Sequence, residues 1–326
     1  MTDTLIVDGH TAWLCRVDLD HKTSYAWPLQ APQAPQTLRI ERKLVDQLPA
    51  GVLAGMPAAT IAGAGSRQTV TLQTKGGSWQ LPAEGTRDLA PPTPPADGVW
   101  HAGATLQGIW GPLLPAMSTD YSRRGICAME ISSAAGTAHA ATTDGYRLAY
   151  WHGTADLPDG TWHWPAAAVR WLERQRNWTW RAGADIWVRG PGSAWLLQAT
   201  PVPGFPDYRT YVLAGLDGTA TCTLPAKMLA DAVKNCTVGK SPKRVALNWG
   251  DGTLRLTGNG RDGTGAAATL EAATEGNGMA LLDPMLLRPL VAGFGKQTIT
   301  LHSQGDSKPL YIRAGNWLAL QMICRE

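Results

Sequence analysis

What most constrains this chain is one pattern used three times along its 326 residues: helix, strand hairpin, helix, strand hairpin. The units are roughly 100 residues long, and self-similarity at a fixed period means one supersecondary design repeated. The first hairpins are read at Leu5–Leu14 with Asp8-Gly9 at the turn, at Cys127–Ala141 around Ala135-Gly136-Thr137, and at Val245–Thr257 around Gly250-Asp251-Gly252-Thr253. Asp-Gly pairs supply the positive backbone angles that two-residue hairpin turns require. A helix is expected after each: Ile40–Leu48, Pro165–Gln175 and Leu281–Ala292, with apolar residues such as Ile40, Leu44, Val45 and Leu48 on one stripe. Second hairpins follow at Thr69–Leu81, Asp185–Gln198 and Thr298–Leu320, alternating apolar and polar as half-buried strands do.

Opening helices precede the second and third units, with stripes Leu106, Ile109, Trp110, Leu113, Leu114 and Leu224, Met228, Leu229, Ala232, Val233. The first unit begins directly with a strand and lacks that helix. The run Pro91-Pro92-Thr93-Pro94-Pro95 separates units one and two, and the segment after Tyr211 separates two and three. The expected division is 1–95, 96–214 and 215–326, in the α+β class, with two helices per domain packed on antiparallel sheets.

Composition narrows function by exclusion. A formal charge of +3 predicts no nucleic-acid binding by itself; the distribution of charge must decide. The five cysteines are scattered without a C-x-x-C pair, no H-E-x-x-H or G-x-S-x-G occurs, and no catalytic residues, metal site or cofactor are expected. No apolar run approaches a membrane span, and the first residues lack a secretory signal, so a cytoplasmic protein is expected.

Two stretches carry a likeness. Thr143-Asp144-Gly145-Tyr146-Arg147-Leu148-Ala149 and Gly204-Phe205-Pro206-Asp207-Tyr208-Arg209 stand at corresponding places in the repeat, supported by Tyr121–Ile126 and by the terminal strand Leu320–Arg325. The sequence resembles the bacterial DNA sliding clamps, the polymerase III beta-subunit family, over its last two units and more weakly over its first. The resemblance implies a DNA-clamp fold whose domains place helices around a central hole, closed into a ring by two subunits. It implies a homodimer that encircles double-stranded DNA, is loaded by an ATP-driven loader and catalyses nothing. Helices crossing the grooves with dispersed basic side chains would touch phosphates weakly enough to slide. The basic candidates are Arg42, Lys43, Arg123, Arg124, Arg170, Arg174, Lys227 and Lys234, with Lys240, Lys243 and Arg244 following the last pair.

The resemblance also implies a hydrophobic cleft that takes peptides of DNA polymerase and clamp loader. Matched residue by residue, it comprises Ile126, Thr143, Gly145, Tyr146, Arg147, Leu148, Pro206, Tyr211, Leu320, Met322 and Ile323. Tyr146 stands where the family commonly has histidine, and Thr210-Tyr211 where it often has arginine and a small aliphatic residue, which implies a partner specificity of its own. Ala166 and Ala167 replace positions that are often basic, implying less DNA contact from that helix. Two alternatives stand beside this reading. One is a divergent clamp homologue that forms no ring and acts as an adaptor or competitor. The other is a nucleotide-binding enzyme using Gly258-Asn259-Gly260-Arg261-Asp262-Gly263, a literal G-x-G-x-x-G.

Overall fold

The structure, a computed structural model, describes residues 2–17, 21–49, 52–53, 57–64, 67–86, 93–213, 218, 220–237, 244–259, 264–305 and 308–324. Pro91, Pro92, Lys240, Lys243, Arg325, residues 260–263 and the side chain of Tyr211 lie outside the description. The chain opens with two long strands, β1 (Thr2–Val17) and β2 (His21–Glu41), then helix α1 (Arg42–Asp46) and strands β3 (Ala58–Ala64), β4 (Arg67–Thr74) and β5 (Gly77–Gly85). A two-residue strand β6 (His101–Ala102) leads into α2 (Gly103–Trp110). Next come β7 (Ala128–Ala134), β8 (Thr137–Thr143), β9 (Arg147–Thr154), β10 (Gly160–Pro165), α3 (Ala166–Leu172), β11 (Thr179–Arg181), β12 (Ile186–Arg189), β13 (Trp195–Ala199) and α4 (Tyr208–Tyr211). The last third holds β14 (Ala220–Pro225), α5 (Ala226–Cys236), β15 (Arg244–Gly250), β16 (Thr253–Asn259), β17 (Gly265–Glu271), β18 (Ala273–Glu275) and β19 (Gly278–Leu282). It closes with α6 (Pro284–Ala292), β20 (Thr298–Ser303), β21 (Leu310–Ala314) and β22 (Trp317–Gln321).

Two compact units result, one of residues 1–104 and 167–201, the other of 105–166 and 202–326. In the first, β2 is the spine of a sheet of nine described strands, pairing with β1 along most of its length and with β5 and β13 at separate stretches. Leu5, Leu14, Trp27, Leu38, Ile40, Leu72 and Trp180 are fully enclosed there. Asp3 is wholly buried among them, and Arg16 and Arg42 converge on its carboxylate at 2.7 and 2.9 Å. A carboxylate is tolerated in that place because two guanidinium groups replace its lost water.

The second unit holds two sheets. One runs β10-β7-β8-β9-β22-β21-β20-β14-β18 and the other β17-β16-β15-β19. Trp110 and Trp164 meet edge to face at 6.4 Å, both enclosed. Helix α5 turns Leu229, Ala230, Ala232, Val233 and Cys236 inward, the stripe expected of an amphipathic helix.

Several expectations hold and some are corrected. The turns at Ala135-Gly136 and Asp251-Gly252 have positive φ at both positions, 49° and 79° in one and 48° and 79° in the other, as a type I′ hairpin demands. Asp8-Gly9 is not a turn. The chain runs on through it, and Gly9, at φ 59°, sits at a register shift in β1, so the residue freedom read as a hairpin signal serves a bulge. The first helix is shorter than its stripe, since Ile40 and Glu41 finish β2 and Ile40 is buried in alternation with Leu38. Likewise Pro165 ends β10, and Leu281-Leu282 end β19 before Asp283 caps α6 by accepting from the Met285 amide at 2.8 Å.

Replacing Asp3 by Ala removes the shared buried acceptor and leaves Arg16 with Asp46 and Arg42 with the Val17 carbonyl. Chemical denaturation is expected to show a loss of roughly 2–4 kcal/mol, reduced from the full cost of a broken buried pair because both arginines reach solvent in part. Asp3→Ala that unfolds like the parent would show that Asp46 and the Val17 carbonyl suffice for Arg16 and Arg42.

Candidate functional site

The residues that carry the family likeness come together in the second unit. Leu148 on β9 and Leu320 on β22 are register partners, which places them side by side on one face of the sheet. Both are buried, in a cluster with Ala141, Tyr208, Tyr311 and Leu318, against which Tyr150, Phe205, Val212 and Leu213 pack. Alternation along the strands explains the membership, because 148 and 150, like 318 and 320, point the same way. Segment 205–213 lies over this face because Asp207 caps the short helix α4, accepting from the Thr210 amide at 3.1 Å, and because Tyr208 is anchored below.

That anchor is polar. Glu130 Oε1 accepts from the Tyr208 hydroxyl at 3.0 Å and from Arg209 at 3.3 Å, while its other oxygen lies 3.3 Å from His163 Nε2. Arg209 also donates to Ser132 Oγ at 2.6 Å. Burial pushes the Glu130 carboxyl up, but the hydrogen bonds of His163 and Tyr208 and the charge of Arg209 outweigh it and hold the group below its ordinary value. The Tyr208 phenol is raised by burial and by the Glu130 charge, so it stays a donor. His163 stacks on Phe205 and Tyr208 meets Phe205 edge to face, which fixes both rings.

The other signature stretch forms the rim. Asp144 Oδ1 accepts from the amides of Tyr146 and Arg147 at 2.9 and 2.7 Å, and its Oδ2 receives Arg147 in a fork at 2.8 and 2.7 Å. The third arm of the Arg147 guanidinium donates to the Leu286 carbonyl of α6 at 3.1 Å, and Gln321 donates to the Asp283 carbonyl at 2.9 Å. Gly145 has φ 87°, and a Cβ there would come within 2.4 Å of the Arg123 guanidinium, which itself donates to the Asp144 carbonyl. Tyr146 and Met322 are joined through the backbone, Met322 N to Tyr146 O at 2.9 Å, and are 61% and 47% exposed.

The expected cleft residues therefore fall into a floor and a rim. Ile126, Thr143, Leu148 and Leu320 are buried, Gly145, Tyr146, Pro206 and Met322 are exposed, and Ile323 lies between. Arg147 is spent on Asp144 and α6. Sequence reasoning missed Tyr150, Phe205, Tyr208, Tyr311 and Leu318 as floor residues. The period-two step from Leu148 and Leu320 reaches Tyr150 and Leu318, and Phe205 and Tyr208 stood within the quoted motif.

The basic candidates differ in what they are free to do. Arg42 is occupied by Asp3 and by the Val17 carbonyl, and Lys43 pairs with Glu41 at 3.0 Å. Arg174 is exposed beyond the end of α3, Arg170 on α3 is half-buried, and Arg123 and Arg124 are exposed. On α5, Lys227 and Lys234 share the solvent face, with Asp231 2.5 Å from Lys227. The Asp231 carboxyl is lowered by Lys227 first, and Lys234 and Arg288 of α6 add to it. Three cations thus surround one acid, and Arg288 was not among the candidates.

The glycine-rich stretch finds another use. Gly258 lies in β16, where a Cβ would come within 1.9 Å of the Cys236 carbonyl, and the next described element is β17, the antiparallel neighbour of β16. Among the described residues no helix begins there to receive a pyrophosphate. Among the described residues no group of three or more His, Cys, Asp or Glu is placed to hold a metal, and no helix is long and apolar enough to cross a membrane.

No protein-family model matches the sequence and no curated protein matches it. Solved structures do. The DNA polymerase III subunit beta from Pseudomonas aeruginosa superposes with a TM-score of 0.80 at 17% identity, over 100% of this chain and 92% of that one. A DNA polymerase sliding clamp from the same organism with ligand gives 0.79 at 18%, over 100% and 92%. A sliding clamp from that organism bound to griselimycin gives 0.78 at 17%, over 100% and 91%. The chain has the sliding-clamp fold, built of antiparallel sheets with few helices.

Glu130→Gln tests the anchor under segment 205–213. A carboxyl held low in the folded state stabilises above its ordinary value of 4.5, and that stability fades as pH falls through the lowered value. The variant is expected to be less stable by roughly 1–2 kcal/mol at neutral pH, after allowance for the half-exposed Arg209. The gap should close in acid, as read from denaturation midpoints across pH; a gap that ignores pH would assign the loss to packing instead.

Proposed function

We propose that this chain is a DNA sliding clamp, a non-catalytic processivity factor of DNA replication. In this reading two copies close a ring around duplex DNA and tether DNA polymerase, and in turn the clamp loader, through the cleft of the second unit. The observation that carries the reading is superposition of the full length of this chain on 92% of a bacterial clamp subunit. The proposed domains are 1–95, 96–214 and 215–326, and the proposed compartment is the cytoplasm.

Physical features of the site support each part. A sliding contact needs positive charge without base-reading geometry. Lys227, Lys234 and Arg288 around Asp231 leave the solvent face of α5 and α6 with excess positive charge. A peptide site needs apolar anchors beside a firm backbone. Exposed Tyr146 stands on a loop braced by Asp144 and Arg147, and exposed Met322, just past β22, is tied to it through the backbone, next to a floor of aliphatic and aromatic side chains. Methionine suits such a rim, since its unbranched thioether adapts to differing partners.

For the cleft, Tyr146→Ala with Met322→Ala is expected to weaken a polymerase-derived apolar peptide by at least about tenfold, because each ring or thioether removes part of the 1.5–3 kcal/mol that a buried apolar side chain contributes. Unchanged affinity by fluorescence polarisation would move the peptide site elsewhere. For DNA, Lys227→Ala with Lys234→Ala is expected to reduce the slope of log affinity against log salt by about 2. An unaltered slope would remove α5 from the DNA-facing surface. Sedimentation velocity is expected to give a dimer, and a strictly monomeric chain that cannot be retained on circular DNA would favour an adaptor without a ring.

A further inference from the structure

One cavity lies just beyond the cluster already described. It opens where the hairpin joining β21 to β22, with its turn at Gly315-Asn316, meets strand β9, and it encloses about 140 Å³. An apolar cavity of about 150 Å³ accepts one benzene ring, so there is room here for one side chain of that size. Leu213, Leu318 and the ring of Trp317 form its apolar walls. Tyr150, His152, Arg313 and Asn316 supply the polar lining, and no carboxylate is among the lining residues.

The polar groups are donors left over. Arg313 is exposed, and its guanidinium makes no hydrogen bond or ion pair with a described residue. Trp317 contributes its ring and not its N–H, because Nε1 is out of reach of solvent and so does not face this space. His152 is held at the turn by its backbone, which donates to the Asn316 carbonyl at 3.1 Å. The Tyr150 hydroxyl is already engaged with His139 Nδ1 at 2.6 Å. An arginine fork, an imidazole and an amide beside apolar walls match one chemistry above others, a carboxylate attached to an apolar residue.

The cavity is continuous with the proposed cleft. Tyr150, Leu213 and Leu318 belong to both, and Tyr150 with Leu318 is the register pair two residues from Leu148 with Leu320. Two strand residues span roughly 7 Å, so an extended peptide whose anchor sits over Leu148 reaches the cavity within two to four residues. We propose that this cavity is a carboxylate subsite that captures the acidic end of a docking peptide, with Arg313 and Asn316 as the recognising groups and Trp317 as the wall for the side chain. The proposal rests on the cleft being a peptide site.

The test uses the full chain and three fluorescein-labelled probes: Gly-Leu-Ala-Leu-Phe as the free acid, the same peptide as the C-terminal amide, and Gly-Leu-Ala-Leu-Asp as the amide. Polarisation titrations are expected to give the free acid about tenfold tighter binding than its amide, with Arg313→Gln and Asn316→Ala each reducing that preference and leaving the affinity of the amide unchanged. If the Asp-ended amide matches the free acid, the source is a side-chain carboxylate; if it binds as weakly as the Phe amide, the source is a chain terminus. Acid and amide binding equally, with both lost in Tyr146→Ala/Met322→Ala, would overturn the subsite and leave the cleft standing. An acid preference that persists in Arg313→Gln would also overturn it, and failure of all three probes to bind would remove cleft and subsite together. Arg313 is on the surface, so its replacement tests recognition apart from folding.

Discussion

The ion pair of Asp144 and Arg147 is the joint on which the second unit turns. One carboxylate organises two backbone amides of its own loop and the guanidinium that follows, and that guanidinium reaches α6, whose Asp283 carbonyl also receives Gln321 from the end of β22. Arg147 and Asp144 are mostly withdrawn from water, 11% and 15% exposed, so removing one partner costs more than breaking a surface salt bridge. Its effect is geometric. The loop that carries Tyr146 is held still, the neighbouring strand end that carries Met322 is tied to it, and two large apolar groups remain in solvent without collapsing on the core.

Main-chain pairing explains a second property of the architecture. Strand β22, from the last repeat, continues the sheet of β7 to β9 from the middle one, and β13, also from the middle repeat, continues the sheet of β2 from the first. The repeats read along the chain and the two compact units are therefore different partitions of the same residues. Ladder hydrogen bonds join segments whatever side chains they carry, so this sharing leaves no mark in hydropathy.

That difference sets what was legible beforehand. Alternation located the hairpins because the pleat puts every second residue on the core, and glycine with positive φ located the turns at 135–136 and 251–252. The same local chemistry misled at Asp8-Gly9, where the neighbouring strand β2 keeps the chain extended and the glycine is absorbed as a bulge. Helix ends were overextended at Ile40 and Leu281 because both residues fit a helical stripe and a strand face, and tertiary pairing decided. The floor of the candidate site was half legible. Leu148 and Leu320 came from motif matching and Tyr150 lies one period-two step on, but Tyr311 depends on the pairing of β21 with β22 and Tyr208 on a fold-back of segment 205–213 that no period encodes. The burial of Asp3 beneath Arg16 and Arg42, which engages Arg42 in an internal ion pair, requires knowing that β1 and β2 run side by side.

The tryptophans have a further consequence. Trp27 and Trp180 are sealed in one unit, Trp110 and Trp164 in the other, and none of the four has more than 1% of its surface open. Each unit therefore carries its own pair of indoles in a dry environment, and their emission shifts to the red only when that core admits water. Among the fifteen tryptophans these four are the most completely sealed, so the last part of the red shift on unfolding marks water reaching the cores themselves.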